Sequence, residues 1–380
     1  MKRIYTYLKY MLFTLTAVIA ILILAYVLFV SFNPAFGGDI TKEEQKVYAQ
    51  SENFKNEIFV NKQKVDLVDG IGKIIKISRK FFFEKVPNGR PQDDILVHNI
   101  DSTNIADYHS PTRLIWFGHS AFLLQINNKT ILIDPMFGDV PAPHPWLGGN
   151  RFSSNLPIAI EKLPNIDAVL ISHDHYDHLD YGSIKKLKDK VGMFYVPLGV
   201  GVHLKAWGVS PDSIVELDWW QEAKHEDLVF RCTPARHFSG RKFSNRQSTL
   251  WSSWIIASDT ENIFFSGDSG YGPHFKEIGD KYGPFDFAMM ECGQYNTMWP
   301  DVHMFPEETA QAGIDIKATK IMPIHWGAFK LAMHPWKDPI LRVVAKADEL
   351  QIPVITPGIG EPFLIKDNNF ENRHWWKKVK

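Results

Sequence analysis

The sequence predicts an α/β fold in which two β-sheets pack face to face beneath outer helices, behind an N-terminal membrane-spanning helix. Three observations carry this expectation. From Thr112 onward, short apolar runs recur, each closed by glycine, proline or a polar cluster. Helical stretches separate some of those runs while others follow one another directly, which sorts the strands into two groups. The stretch Met11 to Val30 is predominantly apolar and carries no charge, enough to span a bilayer core, which takes about 20 residues.

Taken in order, Lys2, Arg3 and Lys9 precede that apolar stretch, and mixed charges follow it. This asymmetry predicts an uncleaved signal anchor, with residues 1–10 cytoplasmic, 11–30 in the membrane and the remainder extracytoplasmic. Residues 31–108 read as a polar extension that wraps a domain. Within it, "GIGKIIKISRKFFFEK" (Gly70 to Lys85) has a helical, basic and apolar pattern that fits either a membrane surface or docking on the protein. Residues 109–366 read as the main domain. "RLIWFG", "AFLLQINN" and "TILIDP" are successive strands, with Asn127-Asn128 as a hairpin turn. "IDAVLIS", "MFYVP", "LVFRCTPA", "STLWSSWIIAS", "NIFFSGD", "FDFAMMEC" and "KIMPIHW" continue the strands. "DYGSIKKLKDK", "GVGVHLKAWG" and "FPEETAQAGIDIKA" supply helices. The tail, residues 367–380, ends in "HWWKKVK", which suits an interfacial anchor or a docked segment.

Composition narrows the function classes. With 42 Lys and Arg against 43 Asp and Glu, no global field draws in nucleic acid, so no nucleic-acid partner is expected. The two cysteines, Cys232 and Cys292, exclude a disulfide scaffold and are expected as buried thiols. "GDSGYG" lacks the lysine of a phosphate loop.

The chemistry concentrates in "SHDHYDHLD" (Ser172 to Asp180), directly after the apolar run "IDAVLI". His173 and His175 stand two apart, so extended backbone turns both to one side, and Asp177 and His178 follow on the turn beyond. Imidazole and carboxylate donors without thiolates suit a zinc site of catalytic rather than finger type. The bland alternative is a surface cluster of titrating histidines. Further donors follow other apolar runs: His237 in "PARHFSG", Asp268 in "FFSGDSG" and His325 in "IMPIHWG". Strand ends along one sheet edge converge in space, and loops there carry chemistry. His98, His203 and His225 have no such context.

H-x-H-x-D-H followed by a distant His, Asp and His is similar to the metallo-β-lactamase superfamily of dinuclear metallohydrolases. "WFGHSAFLLQINNKTILIDPMF", "HYDHLD" and "GDSGYGPHFKEIG" resemble the branch containing the N-acylphosphatidylethanolamine-hydrolysing phospholipase D and its bacterial relatives, across Thr112 to Leu364. The resemblance implies an αββα sandwich holding two Zn2+ per chain at one edge. His173, His175 and His237 would bind the first, Asp177, His178 and His325 the second, and Asp268 would bridge them. His303, in "WPDVHMFPEE", matches an active-site histidine of the lipase-like relatives. His119, Asp134 and Asp180 are expected as supports behind the ligands.

The reaction implied is hydrolysis by a metal-bridging hydroxide, with Asp177 both a ligand and an orienting group and His303 contacting substrate or moving a proton. The substrate expected is a lipid or small-molecule phosphodiester of the N-acylphosphatidylethanolamine type, cleaved in the manner of a phospholipase D. A lactonase or amide hydrolase of the same fold is the alternative, because fold does not choose the substrate. A non-catalytic envelope protein is the third reading, whose signature would be lost ligands.

Overall fold

The apolar runs become strands in the order in which they occur. The computed structural model describes residues 2–66 and 70–380. A hairpin of β1 (Phe54–Lys55) and β2 (Ile58–Phe59) lies ahead of the sandwich. The first sheet places β3 (Arg113–Trp116), β4 (Phe122–Ile126), β5 (Lys129–Ile133), β6 (Ile166–Leu170), β7 (Val191–Pro197) and β8 (Ile214–Leu217) side by side. The second runs from β9 (Glu222–His225) through β10 (Leu228–Thr233), β11 (Ser253–Ala257), β12 (Asn262–Phe265) and β13 (Phe287–Glu291) to β14 (Ile321–Ile324). The chain then returns to the first sheet as β15 (Pro362–Leu364), antiparallel to β3.

Strand direction decides where loops collect. β3, β4 and β5 are mutually antiparallel, while β6 runs parallel to β5, so β3, β5 and β6 point the same way. By the same reasoning β10, β12, β13 and β14 share a direction in the second sheet. The β4–β5 turn uses Asn127 (φ 50°) and Asn128 (φ 60°), the left-handed pair that a two-residue hairpin requires.

Period-two alternation splits the first sheet between two cores. Leu114, Trp116, Phe122, Leu124, Ile131 and Ile133 face the second sheet, where they meet Phe230, Trp254, Ile256 and Phe265. The intervening Ile115, Leu123, Leu132 and Val169 face outward onto Ile184 and Leu187 of α5 (Tyr181–Leu187) and Leu204 of α6 (Gly201–Ala206). Burying each such side chain is worth about 1.5–3 kcal/mol. The remaining helices are α1 (Lys2–Phe32), α2 (Lys42–Tyr48), α3 (Ile71–Phe83), α4 (Ser102–Ala106), α7 (His274–Tyr282), α8 (Pro306–Asp315) and α9 (Asp338–Leu350). α9 buries Ile340, Val343 and Ala347 on one face, next to α8.

Several expectations change here. Of "STLWSSWIIAS", only Ser253–Ala257 is strand. The first half crosses to the other sheet, with Leu250 N donating to Leu198 O at 2.8 Å and Ser252 N to Ser172 O at 2.9 Å. β8 and β9 lie outside the runs read as strands: β8 is a short edge strand of four residues, and β9, Glu-Ala-Lys-His, is polar, as edge strands often are. Within Gly70–Lys85 the expected helix forms as α3, which leaves Ile75 60% and Phe83 82% exposed while Ile77 and Phe81 are half-buried. The tail docks. Trp376 is buried edge-on against Trp326 at 5.8 Å, and Trp375 stacks on Trp326 at 5.4 Å. Both cysteines are free and buried.

The stretch "NPAFGG", which follows α1, is pinned to the domain. Asn33 caps its short 3-10 turn and donates to Pro143 O at 2.8 Å, and Arg241 donates to Ala35 O at 2.7 Å. Gly37 has φ 72°, and a Cβ there would stand 2.1 Å from His203 Nδ1, so only glycine fits. The helix ahead of it, α1, contains an 18-residue window of mean hydropathy 2.8, none of it buried by the protein.

Candidate metal centre

The residues that follow β3, β5, β6, β10, β12, β13 and β14 meet at one edge of the sandwich, because those strands point to that edge. Gly267 (φ 56°) lets the loop after β12 turn tightly against the loop after β6: a Cβ there would stand 2.8 Å from Ser172 Cβ. His119 (φ 57°), Asp134 (φ 41°) and His325 (φ 65°) adopt left-handed backbone, a costly conformation that clusters at functional sites.

Three imidazoles form the first set. His173 Nε2 lies 2.9 Å from His175 Nδ1, and His237 Nε2 lies 3.2 Å from the same atom. His237 Nδ1 donates to Val302 O at 2.9 Å, which leaves the Nε2 lone pair facing the set. His173 Nδ1 is backed by Ser172 Oγ at 2.9 Å. Burial, followed by the neighbouring imidazoles, holds His173 and His237 well below the usual histidine range. Burial also lowers His175, against nearby carboxylates. These shifts favour the neutral ring, the form in which an imidazole ligates a metal.

The second set gathers Asp177, His178 and His325, with His119 within reach of the same point. Asp177 Oδ2 stands 2.9 Å from His119 Nε2, 3.1 Å from His325 Nε2 and 3.5 Å from His178 Nε2. Asp134 accepts at 2.7 Å from His178 Nδ1 and takes Ser172 N and Oγ on its two oxygens, which fixes the ring with Nε2 inward. Burial pulls His178 and His325 down, but Asp268 and Asp177 outweigh it and raise His178 well above its ordinary value and His325 to about 10. Burial also pushes Asp177 up, yet the adjacent imidazoles hold it well below the carboxylate range. His119 goes the other way: burial, then His325, lowers it to about 3.

Asp268 lies between the sets. Its Oδ2 is 3.2 Å from both His178 Nε2 and His325 Nε2, 3.8 Å from His237 Nε2 and 3.9 Å from His173 Nε2. Burial raises its carboxyl, and the surrounding imidazoles reverse that and bring it well below the usual range. Asp268 Oδ1 and His178 Nε2 are buried without a hydrogen bond of good geometry. Buried polar atoms without partners are costly, and a cation between the carboxylates and rings would satisfy both. The donor set, imidazole and carboxylate without thiolate, fits zinc.

His303 borders the same edge, its ring 5.1 Å from His237 and stacked at 5.2 Å on His325. Behind it sits Glu291, which the sequence reading missed. Its Oε1 is 3.1 Å from His303 Nδ1 and 3.3 Å from His325 Nδ1, and its Oε2 accepts from Met304 N at 2.9 Å. The available signal was a carboxylate closing the apolar run "FAMME". Asp174 was also passed over. It is buried and accepts from Gly240 N at 2.8 Å, while His203, read as ordinary, approaches it at 3.3 Å.

Asp180 requires a correction. Its carboxylate caps α5, accepting from Ser183 N at 2.7 Å and Ser183 Oγ at 2.6 Å, and no hydrogen bond or ion pair described for it reaches a ring of either set. An aspartate at a helix start completes the orphan backbone donors of the first turn, and here that demand takes it. His98 and His225 lie elsewhere; His225 pairs with Tyr195 at 3.0 Å.

Residues 129–326 match the family model of the β-lactamase superfamily domain. An uncharacterized protein of Mycobacterium tuberculosis is 46% identical over 253 residues, 65% of this chain and 67% of that protein. N-acyl-phosphatidylethanolamine-hydrolyzing phospholipase D 1 of Caenorhabditis elegans is 30% identical over 314 residues, 77% of this chain and 87% of that protein. Among solved structures, a possible metal-dependent hydrolase from Veillonella parvula superposes with a TM-score of 0.55 at 18% identity, covering 67% of this chain and all of that one, which shows the shared fold. The two-sheet sandwich, the donor sets at one edge and these matches agree: the chain belongs to the β-lactamase superfamily and is a metal-dependent hydrolase of the metallo-β-lactamase fold.

Proposed function

We propose that the protein is a membrane-anchored, zinc-dependent phosphodiesterase of phospholipase D type acting on N-acylphosphatidylethanolamine-like lipids. The observation that carries this reading is the placement of Asp268 Oδ2 within 3.9 Å of rings from both donor sets. His173, His175 and His237 are assigned to one zinc, Asp177, His178 and His325 to the other, and Asp268 to both. When bound, the zinc pair would supply Lewis acidity at phosphoryl oxygens and lower the pKa of bound water to about 7.

The chain's own residues do the rest. Asp134, Ser172, Val302 O and Glu291 hold the rings so that their inward nitrogens keep a fixed direction. His303, held at Nδ1 by Glu291 and grouped with His237 and Asp268, is assigned to deliver a proton to the leaving alkoxide. α1 is assigned as a single-pass anchor over residues 11–30, with residues 1–10 cytoplasmic and the 31–108 extension, the 109–366 hydrolase domain and the 367–380 tail on the other side. Protease added outside spheroplasts should digest the domain; protection until lysis overturns that orientation.

The deciding experiment incubates the zinc-loaded full chain with N-acylated and plain phosphatidylethanolamine, lactones and amides, and identifies products by mass spectrometry. Phosphatidic acid with the released N-acylethanolamine supports the reading. Turnover confined to lactones or amides replaces it.

A further inference from the structure

An apolar cavity of about 870 Å³ separates the last turns of α1 from the hydrolase domain. On the α1 side its wall is Tyr26 and Phe29; on the domain side it is Trp146, Leu147, Phe238 and Phe243. Tyr26 meets Phe243 at 5.8 Å between ring centroids, and Phe29 meets Trp146 at the same distance. Phe243 and Trp146 are nonetheless 75% and 68% exposed, an arrangement that costs free energy in water and suits the boundary of a bilayer. The inner end of the cavity reaches the metal centre: the Phe238 ring lies 4.6 Å from His175 and 4.8 Å from His237. The exposed guanidinium of Arg246 lines the same cavity.

We infer that this cavity is an acyl-chain subsite, through which one hydrocarbon chain of a bilayer lipid enters alongside α1 while the phosphate is directed past Arg246 toward the metal centre. The inference rests on the phosphodiester-lipid reading above. Three features name the occupant. One wall is the end of a helix long enough to cross a bilayer, so the opening is continuous with lipid rather than with bulk water. The lining is mostly aromatic and aliphatic, which matches a hydrocarbon chain, and its charged members, Arg241, Lys242 and Arg246, are all basic. Arg246 supplies charge complementary to a phosphate near the apolar mouth. Phe29 also packs on Phe36 at 5.4 Å, and Phe36 on Tyr176 at 6.3 Å, so the anchor's end is linked through aromatic contacts to the "HDHYDH" loop.

The test uses the full chain in nanodiscs containing phosphatidylethanolamine with a diazirine near the end of one acyl chain. After irradiation, adducts are mapped by mass spectrometry. Adducts are expected on residues 143–147 and 238–246, and Phe243→Asp should cut labelling there by on the order of tenfold, as removal of hydrophobic pocket surface does. Trp146→Gln gives a second variant at an exposed position, in case the first disturbs folding. Adducts confined to α1 ahead of Tyr26, or cavity labelling indifferent to both variants, overturn the subsite. Hydrolysis of the N-acylated lipid is measured on the same samples. Cleavage without cavity adducts defeats the subsite alone, whereas cavity adducts without cleavage of any phosphodiester defeat the catalytic reading and leave the subsite standing.

Discussion

Glu291 Oε1 stands 3.3 Å behind His325 Nδ1, so the opposite nitrogen of that ring is turned to Asp177 and Asp268. A buried carboxylate behind a ligating imidazole fixes its tautomer and raises its basicity. Glu291→Gln keeps the shape and removes the charge. It should lower affinity for the second metal roughly 10–100-fold, read by competition with a chromophoric chelator.

Variants of Asp268 and His303 test the roles assigned to them, metal ligand and substrate contact. Asp268→Asn should leave the protein folded but short of one metal per chain by elemental analysis, with turnover reduced by several orders of magnitude. His303→Ala should keep full metal content and lose about 10²–10⁴ in rate, the span for a positioned proton donor. Loss of zinc from the His303 variant, or normal turnover in the Asp268 variant, would reverse the assigned roles.

Metal removal has a stability signature. Because both sheets contribute donors, a metal bound only by the folded state adds about 2.7 kcal/mol at a free concentration 100-fold above its dissociation constant. Chelator should lower Tm by several degrees, and readded zinc should restore it, as followed by circular dichroism. An unchanged Tm would mean that the edge holds no tightly bound ion.

Cys232 and Cys292 are buried, and burial raises both thiols above their ordinary range. A raised folded-state value means that this contribution to stability is present below the ordinary thiol pKa of about 8.5 and is lost as pH climbs above it. Ellman's reagent at pH 8 should find no reactive thiol in the native protein and two after denaturation.

Much of the site was legible because its residues obey one local rule: a donor directly after an apolar strand run. His173, His237, Asp268 and His325 all follow it. Glu291 follows the same rule but shows its role only through His303 and His325, which lie 12 and 34 residues away in sequence, and no local pattern announces such partners. Asp180 shows the converse. It sits in the motif by position, yet the helix that begins at Tyr181 claims its carboxylate. In the fold, the strands buried on both faces were readable from composition, whereas Glu222–His225 alternates charged and small residues at an edge where burial asks for little.

Asp177 and His325, whose side chains meet at 3.1 Å, are 148 residues apart in the chain. This sets an order of events during biosynthesis. A nascent chain that has completed only the first six strands of its first sheet owns His173, His175, Asp177 and His178 but none of His237, Asp268 and His325. Such a chain holds an incomplete donor set, so a metal that needs donors from both sheets does not template early folding as it does in a zinc finger. Distant contacts of this kind form late, after loop closure between the sheets. Metal capture is then the closing step of maturation, and the cellular compartment in which the second sheet docks is the one that chooses the metal.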